Sequence, residues 1–189
     1  ISDPGSIIVS GTIYGYGGSY YNAEAIEPGK GYWINASADG EITLSSTALA
    51  TKTGEQVNHL EGSNTLELSN GTHSSTLYFG KEVADEHKDS YSLPPTFPQM
   101  AFDVRFNADM KYAVESGDIE VLNTSDNLII SYDIVIEAGE HLSWVLTSES
   151  GKDYILEGSG AITIPTEETF TLERKAIIPI AYTLHQNYP

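Results

Sequence analysis

The feature that most constrains the fold is a regular succession of short apolar segments separated by turn residues. The segments are rich in Val, Ile, Leu, Phe and Tyr, and glycines mark the gaps between them. Short alternating segments joined by tight turns are typical of antiparallel β-sandwiches. The chain is therefore predicted to be all-β, with one antiparallel β-sandwich of eight or nine strands, either immunoglobulin-like or jelly-roll-like. Ten candidate segments are available for these eight or nine strands: 65–69, 76–79, 101–106, 112–115, 119–122, 128–136, 141–147, 153–157, 161–164 and 169–173.

The clearest hairpin joins Thr65–Ser69 to Thr76–Phe79 through Asn70 and Gly71. Asn-Gly readily adopts positive φ at both central positions of a tight turn, so this pair predicts the turn itself. The polar residues 81–99 that follow carry several prolines and no convincing helical period. Because proline donates no ladder hydrogen bond, this stretch is predicted to be a loop or a sheet edge.

A smaller unit, rich in Gly and Tyr, precedes the sandwich. We expect a partial β module at residues 1–48, a linker at 49–62 and the sandwich domain at 63–181. In the module, strands are predicted at Ser6–Tyr16 and Tyr32–Asn35, with Glu41–Leu44 completing a hairpin after the turn at 38–40. So short a segment builds only a thin core, so we expect it to pack on the next domain or on a partner segment.

Composition narrows the classes of partner. The chain has 189 residues, and 27 Asp and Glu against 9 Lys and Arg give a net charge of −18. This charge disfavours nucleic acid and anionic membrane surfaces as partners. Cysteine is absent, which excludes disulfides and Cys-ligated metals. No apolar stretch approaches the roughly 20 residues that span a bilayer, so membrane insertion is not expected.

The C-terminal residues carry a resemblance to a known family. Leu184-x-Gln186-Asn187-Tyr188-Pro189 resembles the opening of the C-terminal sorting domain of bacterial type IX secretion cargo. In that family the run continues with Asn-Pro-Phe-Asn-Pro into a short β-sandwich that directs export and surface attachment. The resemblance implies that 182–189 begin a truncated sorting domain in a longer protein, whose leader lies upstream of Ile1. It also implies an extracellular or outer-surface location in a bacterium.

Two further segments resemble parts of bacterial surface proteins. Residues 64–189 are similar, in the order of their motifs, to the domain that often precedes type IX sorting domains, for which no catalytic activity is known. Tyr14-Gly15-Tyr16 followed by Pro28-Gly29-Lys30-Gly31-Tyr32-Trp33 resembles a recurrent module of large surface proteins, here without its usual first half. The resemblances imply a structural region rather than an enzyme.

A search for catalytic motifs agrees with that expectation. The chain has no Gly-x-Ser-x-Gly elbow, His-Glu-x-x-His pair, P-loop or Rossmann glycine pattern, and its five histidines are widely scattered. No catalytic residue is therefore predicted. A glycosidase would need two carboxyl groups facing each other across a cleft, and the sequence nominates no such pair.

Calcium is the most credible metal from sequence alone. Asp85, Glu86 and Asp89 lie within five positions in a polar stretch, and calcium takes hard oxygen ligands from loops. The alternative is that these carboxylates only solvate the loop. Weaker candidates are Asp103 with Asp109, and Asp126 with Asn127.

The aromatic residues of the front module allow two interpretations. Rings arrayed on a sheet can stack on sugar faces, which would make the module a carbohydrate-binding platform. The alternative is that the rings pack into the thin core while the neighbouring glycines let the chain turn beneath them. The candidate platform residues are Tyr14, Tyr16, Tyr20, Tyr32 and Trp33.

Together these observations predict a non-catalytic spacer that links an upstream domain of the same polypeptide to a sorting domain. An extracellular filament or surface assembly is a variant of this idea, because exposed sheet edges allow strand addition by neighbouring chains. The alternative is a carbohydrate-binding module that holds polysaccharide near a fused hydrolase.

Overall fold

The structure, a computed structural model, describes residues 1–44, 57–96, 102–124 and 127–176. A three-stranded front sheet contains β1 (Ile8–Tyr16), β2 (Tyr20–Asn22) and β3 (Tyr32–Ala36), in the order β2-β1-β3. It precedes a sandwich of two five-stranded sheets. The sandwich strands are β4 (Asn64–Ser69), β5 (Ser74–Phe79), β6 (Asp103–Phe106), β7 (Tyr112–Ala113), β8 (Gly117–Leu122), β9 (Asn127–Asp133), β10 (Leu142–Ser148), β11 (Asp153–Leu156), β12 (Ser159–Pro165) and β13 (Thr169–Ala176).

The sheets have the orders β11-β10-β13-β8-β6 and β12-β9-β4-β5-β7. The predicted all-β sandwich is thus confirmed, with two corrections. The described residues hold ten sandwich strands rather than eight or nine, and β7 runs parallel to β5 instead of antiparallel. A parallel neighbour needs a long connection. The chain between β5 and β7 supplies it by passing through the polar residues 81–99, here called the excursion, and then through β6.

The core lies between the two large sheets and follows the period of two expected of strands. Leu66 and Leu68 of β4 face inward together with Leu77 and Phe79 of β5, and none of the four is more than 1% exposed. Trp144 of β10 packs edge-on against Phe79, with ring centroids 4.9 Å apart. The apolar alternation in the sequence therefore places the core correctly.

The hairpin β4–β5 is confirmed in its strands but not in the conformation of its turn. Ser69 pairs with Ser74, which leaves residues 70–73 as a four-residue loop. The Asn70 side chain accepts the N–H groups of Thr72 and His73 at 3.0 and 2.8 Å. Gly71 alone in this loop has positive φ, at 87°. The turn lies where Asn70-Gly71 predicts it, but the positive φ expected at both positions occurs at Gly71 only, because the Asn70 side chain closes a four-residue loop.

The hairpin predicted in the front module is wrong. β3 pairs with β1, and Glu41–Leu44 contributes only an isolated bridge between Thr43 and Ser2. The Asp3 carboxylate accepts the N–H groups of Ile7 and Ile8 at 3.0 and 2.9 Å. These bonds fold the first residues back, so that Ser2 rather than β3 meets Thr43.

The polar excursion after β5 contains short helical structure that the sequence did not predict. Helix α1 spans Asp85–Lys88, and a 3₁₀ turn follows at Asp89–Tyr91. Asp85 and Lys88 form an i,i+3 ion pair across α1. Acidic residues in the first turn and a lysine in the last also suit the helix dipole. The loop prediction holds for the flanking described residues only, since 97–100 lie outside them.

A buried asparagine ties the sandwich together. Asn64 is 0% exposed, and its side-chain amide donates to the carbonyl of Ile136 at 2.9 Å. Its side-chain oxygen accepts the N–H groups of Val135 and Ile136 at 2.9 and 2.6 Å. One side chain thus satisfies three backbone groups of the segment that follows β9.

Asn64→Leu is expected to lower the free energy of unfolding by about 3 kcal/mol, because it leaves buried backbone groups without partners. Urea denaturation followed by circular dichroism measures the change. Asn58→Leu is the matched control, since Asn58 is exposed and its side chain makes one local bond, in which it accepts the N–H of Leu60. Equal losses in the two variants would show that the Asn64 bonds do not stabilise the fold.

Candidate functional site

The front sheet lies against the sandwich, mainly through the excursion. β1 contacts the 3₁₀ turn Asp89–Tyr91, and the Asn35 amide donates to the Ser92 hydroxyl at 3.2 Å. Tyr14, at the centre of the front sheet, is only 2% exposed. The thin core expected of this module is thus completed by the sandwich domain.

A second contact involves a glycine. Gly18 has φ of +100°, and a Cβ at this position would overlap the imidazole of His73. His73 lies in the loop between β4 and β5, so the turn after β1 rests directly on the sandwich. Glycine is required here both for the left-handed backbone and for the close approach.

A buried ion network lies on the outer face of β6. Val104 and Phe106 of this strand face the core, whereas Asp103 and Arg105 alternate with them on the other face. Asp103 and Arg105 are nevertheless only 2% and 1% exposed. The Arg105 Nε donates to the Asp103 carboxylate at 2.6 Å, and Nη2 also contacts that carboxylate. Nη1 donates to the carbonyl of Pro94 at 2.8 Å. The guanidinium thereby joins β6 to the excursion.

The front sheet reaches this network through Tyr20. Burial raises the pKa of the Tyr20 hydroxyl, and the nearby Asp103 carboxylate raises it further. Burial also raises the pKa of the Asp103 carboxyl, while Arg105 acts in the opposite direction. Tyr20 of the front sheet therefore lies within electrostatic range of the ion network that joins β6 to the excursion.

A cleft of about 630 Å³ opens where the front sheet meets the sandwich. Its walls include Tyr14 from the front sheet and His59, His87, Tyr91 and Lys111 from the sandwich side. Burial, followed by the effect of Tyr91, raises the pKa of Tyr14 to about 12. Burial lowers the pKa of the Lys111 ammonium, which Asp103 partly opposes. The cleft is thus lined largely by hydrogen-bonding groups.

The five rings predicted as a saccharide platform do not form one open surface. Tyr14 and Tyr20 meet edge-on at 72°, with centroids 6.3 Å apart, and Tyr16 and Tyr20 meet at 65° and 5.3 Å. Tyr14 is buried, so it cannot stack on a sugar, and the prediction for it is wrong. Trp33 is 48% exposed. Tyr32 pairs with Gly15, which puts it on the sheet face opposite Tyr14.

That opposite face carries a pair of tyrosines that the sequence did not single out as a pair. Tyr21 and Tyr32 flank Gly15 from the two neighbouring strands. The Tyr21 ring, 41% exposed, lies over Gly15, where a Cβ would overlap it. The Tyr32 hydroxyl accepts the N–H of Glu27 at 2.9 Å. Only the cross-strand register reveals this pair.

The three carboxylates proposed for calcium are engaged differently. Asp85 pairs with Lys88, and this hydrogen bond lowers the pKa of Asp85. Glu86 lies 3.5 Å from the Nε2 of His87, and Asp89 begins the 3₁₀ turn. Within the described ranges, no group of three or more acidic or histidine residues is placed to hold a metal ion. The calcium site stays a prediction.

The weaker calcium candidates are Asp103 with Asp109 and Asp126 with Asn127. Asp103 and Asp109 both bind the Arg105 guanidinium, Asp109 at 2.6 Å, so they are held as partners of a cation rather than as open ligands. These candidates also stay a prediction. Asp126 lies outside the described residues, as does the predicted sorting signature at 184–189.

Comparison with models of protein families, with curated proteins and with solved structures gives no match for the chain. Among the described residues, no helix is long and apolar enough to cross a lipid bilayer. The candidate functions therefore depend on the geometry of the chain and on the sequence resemblances alone.

Proposed function

We propose that this chain is a non-catalytic spacer region of a large bacterial protein exported by the type IX route. In this role the front sheet and the sandwich act as one rigid body between an upstream domain and the sorting domain. The observation that carries the proposal is the docking of the front sheet. Tyr14 is buried and Asn35 bonds to Ser92, while Tyr20 approaches the Asp103–Arg105 pair.

The position of β13 supports a load-bearing role. This strand leads toward the C-terminal segment and lies inside its sheet, with β10 on one side and β8 on the other. Seven residue pairs join β13 to β10, and four join it to β8. A force applied through the C-terminal segment would therefore act on a strand held by two ladders.

Charge supports presentation outside the cell. The net charge of −18 makes copies repel one another, which favours solubility at high surface density. Lys175 is paired with both Asp153 and Glu173 at 3.0 and 3.1 Å, so this half-buried cation on β13 is partly neutralised.

Fractionation in the natural host tests the export half of the proposal. The protein should appear on the cell surface or in the medium of the wild-type strain and accumulate inside a strain without type IX machinery. Peptide mapping of the exported product checks whether Pro189 is followed by Asn-Pro-Phe-Asn-Pro. Unchanged location in the two strains would contradict the export route.

The open tyrosine pair favours a second candidate, a saccharide-binding surface. Tyr21 and Tyr32 lie on the face away from Tyr14, flank Gly15, and so offer two rings to one ligand. Titration of soluble oligosaccharides tests this candidate, with Tyr21→Ala expected to abolish binding. Tyr154→Ala on β11 is a control, since that ring lies in the sandwich. Absence of binding in the wild type would remove the candidate.

A further inference from the structure

Two histidines that are distant in sequence stack in the cleft between the front sheet and the sandwich. The ring centroids of His59 and His87 are 3.8 Å apart, and their planes are 15° from parallel. Both rings line the cleft of about 630 Å³. The His87 side chain is 37% exposed, so an ion in solution can reach it.

We propose that His59 and His87 form a binding site for a borderline divalent transition-metal ion such as Cu²⁺, Ni²⁺ or Zn²⁺. Imidazole nitrogen suits these ions, whereas calcium prefers oxygen. Nitrogens that share one ion at about 2.0–2.1 Å must lie within about 4 Å of each other. An imidazole lone pair lies in the plane of its ring, so the two rings, whose centroids are 3.8 Å apart, must rotate out of the parallel stack to direct one nitrogen each at a shared ion, and water completes the coordination.

The backbone segments that carry the two rings are held in place. The backbone N–H of His59 donates to the Tyr91 hydroxyl at 3.0 Å, which fixes the segment that carries the ring. His87 belongs to α1, and its N–H donates to the carbonyl of Ala84 at 2.8 Å. The stacking therefore joins two elements that are each anchored by backbone bonds.

A carboxylate supports the proposed metal site. The Glu86 carboxylate lies 3.5 Å from the Nε2 of His87. Histidines that bind metals commonly donate their other ring N–H to a carboxylate, which orients the ring and makes it a better ligand. Glu86 has this position relative to His87, so Nδ1 of His87 is the nitrogen assigned to the metal. The net charge of −18 also raises the local concentration of cations.

This site is independent of the proposed spacer function, and its test requires no export. Protein treated with EDTA is titrated calorimetrically at pH 7.5 with Cu²⁺, Ni²⁺ and Zn²⁺ in separate experiments. One ion per chain is expected, with Cu²⁺ bound most tightly. Electron paramagnetic resonance of the Cu²⁺ complex should show coupling to two imidazole nitrogens.

His59→Ala and His87→Ala should each weaken binding by at least about tenfold. Neither change removes the backbone bonds described above, and circular dichroism of the metal-free variants verifies folding. His141→Asn is the matched control, because His141 is exposed with φ of +60°, a conformation asparagine also tolerates. Wild-type affinity in both alanine variants, or no binding by the wild type, would overturn the proposal.

Discussion

Arg105→Met should lower the free energy of unfolding by about 3–5 kcal/mol, the range for removing one partner of a buried ion pair. The guanidinium is 1% exposed and bonds to Asp103, Asp109 and the carbonyl of Pro94. Methionine fills part of the volume but leaves the Asp103 carboxylate buried without a cation. The change is measured by urea unfolding at pH 7.

The double variant Asp103→Asn, Arg105→Met is the control for this prediction. It removes the unpaired buried carboxylate as well as the guanidinium, so it should recover a large part of the stability lost in the single variant. A double variant no more stable than Arg105→Met would show that packing, not the unpaired charge, causes the loss.

The loss caused by Arg105→Met should also depend on pH. Burial already holds the pKa of Asp103 above its usual range, and removal of Arg105 raises it further. A carboxyl whose pKa is higher in the folded state favours folding as it takes up a proton. The difference in free energy of unfolding between wild type and variant should therefore be largest above the raised pKa. It should shrink as pH falls through that pKa. An increase toward acid pH would contradict this assignment.

Trp144→Ala should lower the free energy of unfolding by about 3–5 kcal/mol, the range for truncating a buried aromatic ring. The ring is 1% exposed, packs edge-on against Phe79, and donates from Nε1 to the carbonyl of Ile136 at 2.9 Å. The Arg174 guanidinium lies 4.8 Å from the ring centroid. Urea unfolding followed by circular dichroism should show a lower midpoint with an unchanged slope.

Trp33→Ala is the matched control, because Trp33 is 48% exposed on the front sheet. It should lower the free energy of unfolding by less than about 1 kcal/mol, as substitutions of exposed residues usually do. A loss in the Trp33 variant as large as that in the Trp144 variant would mean that the front sheet contributes far more packing than its exposure indicates.

The large β elements could be predicted from the sequence because each depends on local alternation. Leu66, Leu68, Leu77 and Phe79 alternate with polar residues, and all four lie in the core. The length of the loop after β4 could not be predicted. The side chain of Asn70 closes a four-residue loop, and that bond depends on the register of the finished hairpin.

The polar clusters were not predictable, because residues from distant segments build them. Alternation in β6 puts Val104 inward and leaves Asp103 and Arg105 on the face that would normally meet water. The excursion covers that face instead, and its Pro94 carbonyl accepts a hydrogen bond from Arg105. His59 and His87 likewise have no local spacing that indicates a pair, and only the packing of α1 beside the segment before β4 brings them together.

The measurement that tests the central claim most directly uses the two tryptophans as separate reporters. Trp144→Phe leaves Trp33, which reports on the front sheet, and Trp33→Phe leaves Trp144, which reports on the sandwich core. In each variant, urea unfolding is followed by fluorescence and by far-ultraviolet circular dichroism, to which the ten sandwich strands contribute most. If the front sheet and sandwich form one rigid body, the two curves coincide within each variant. A Trp33 transition at clearly lower urea than the dichroism transition would show that the front sheet unfolds alone, and would contradict the spacer proposal.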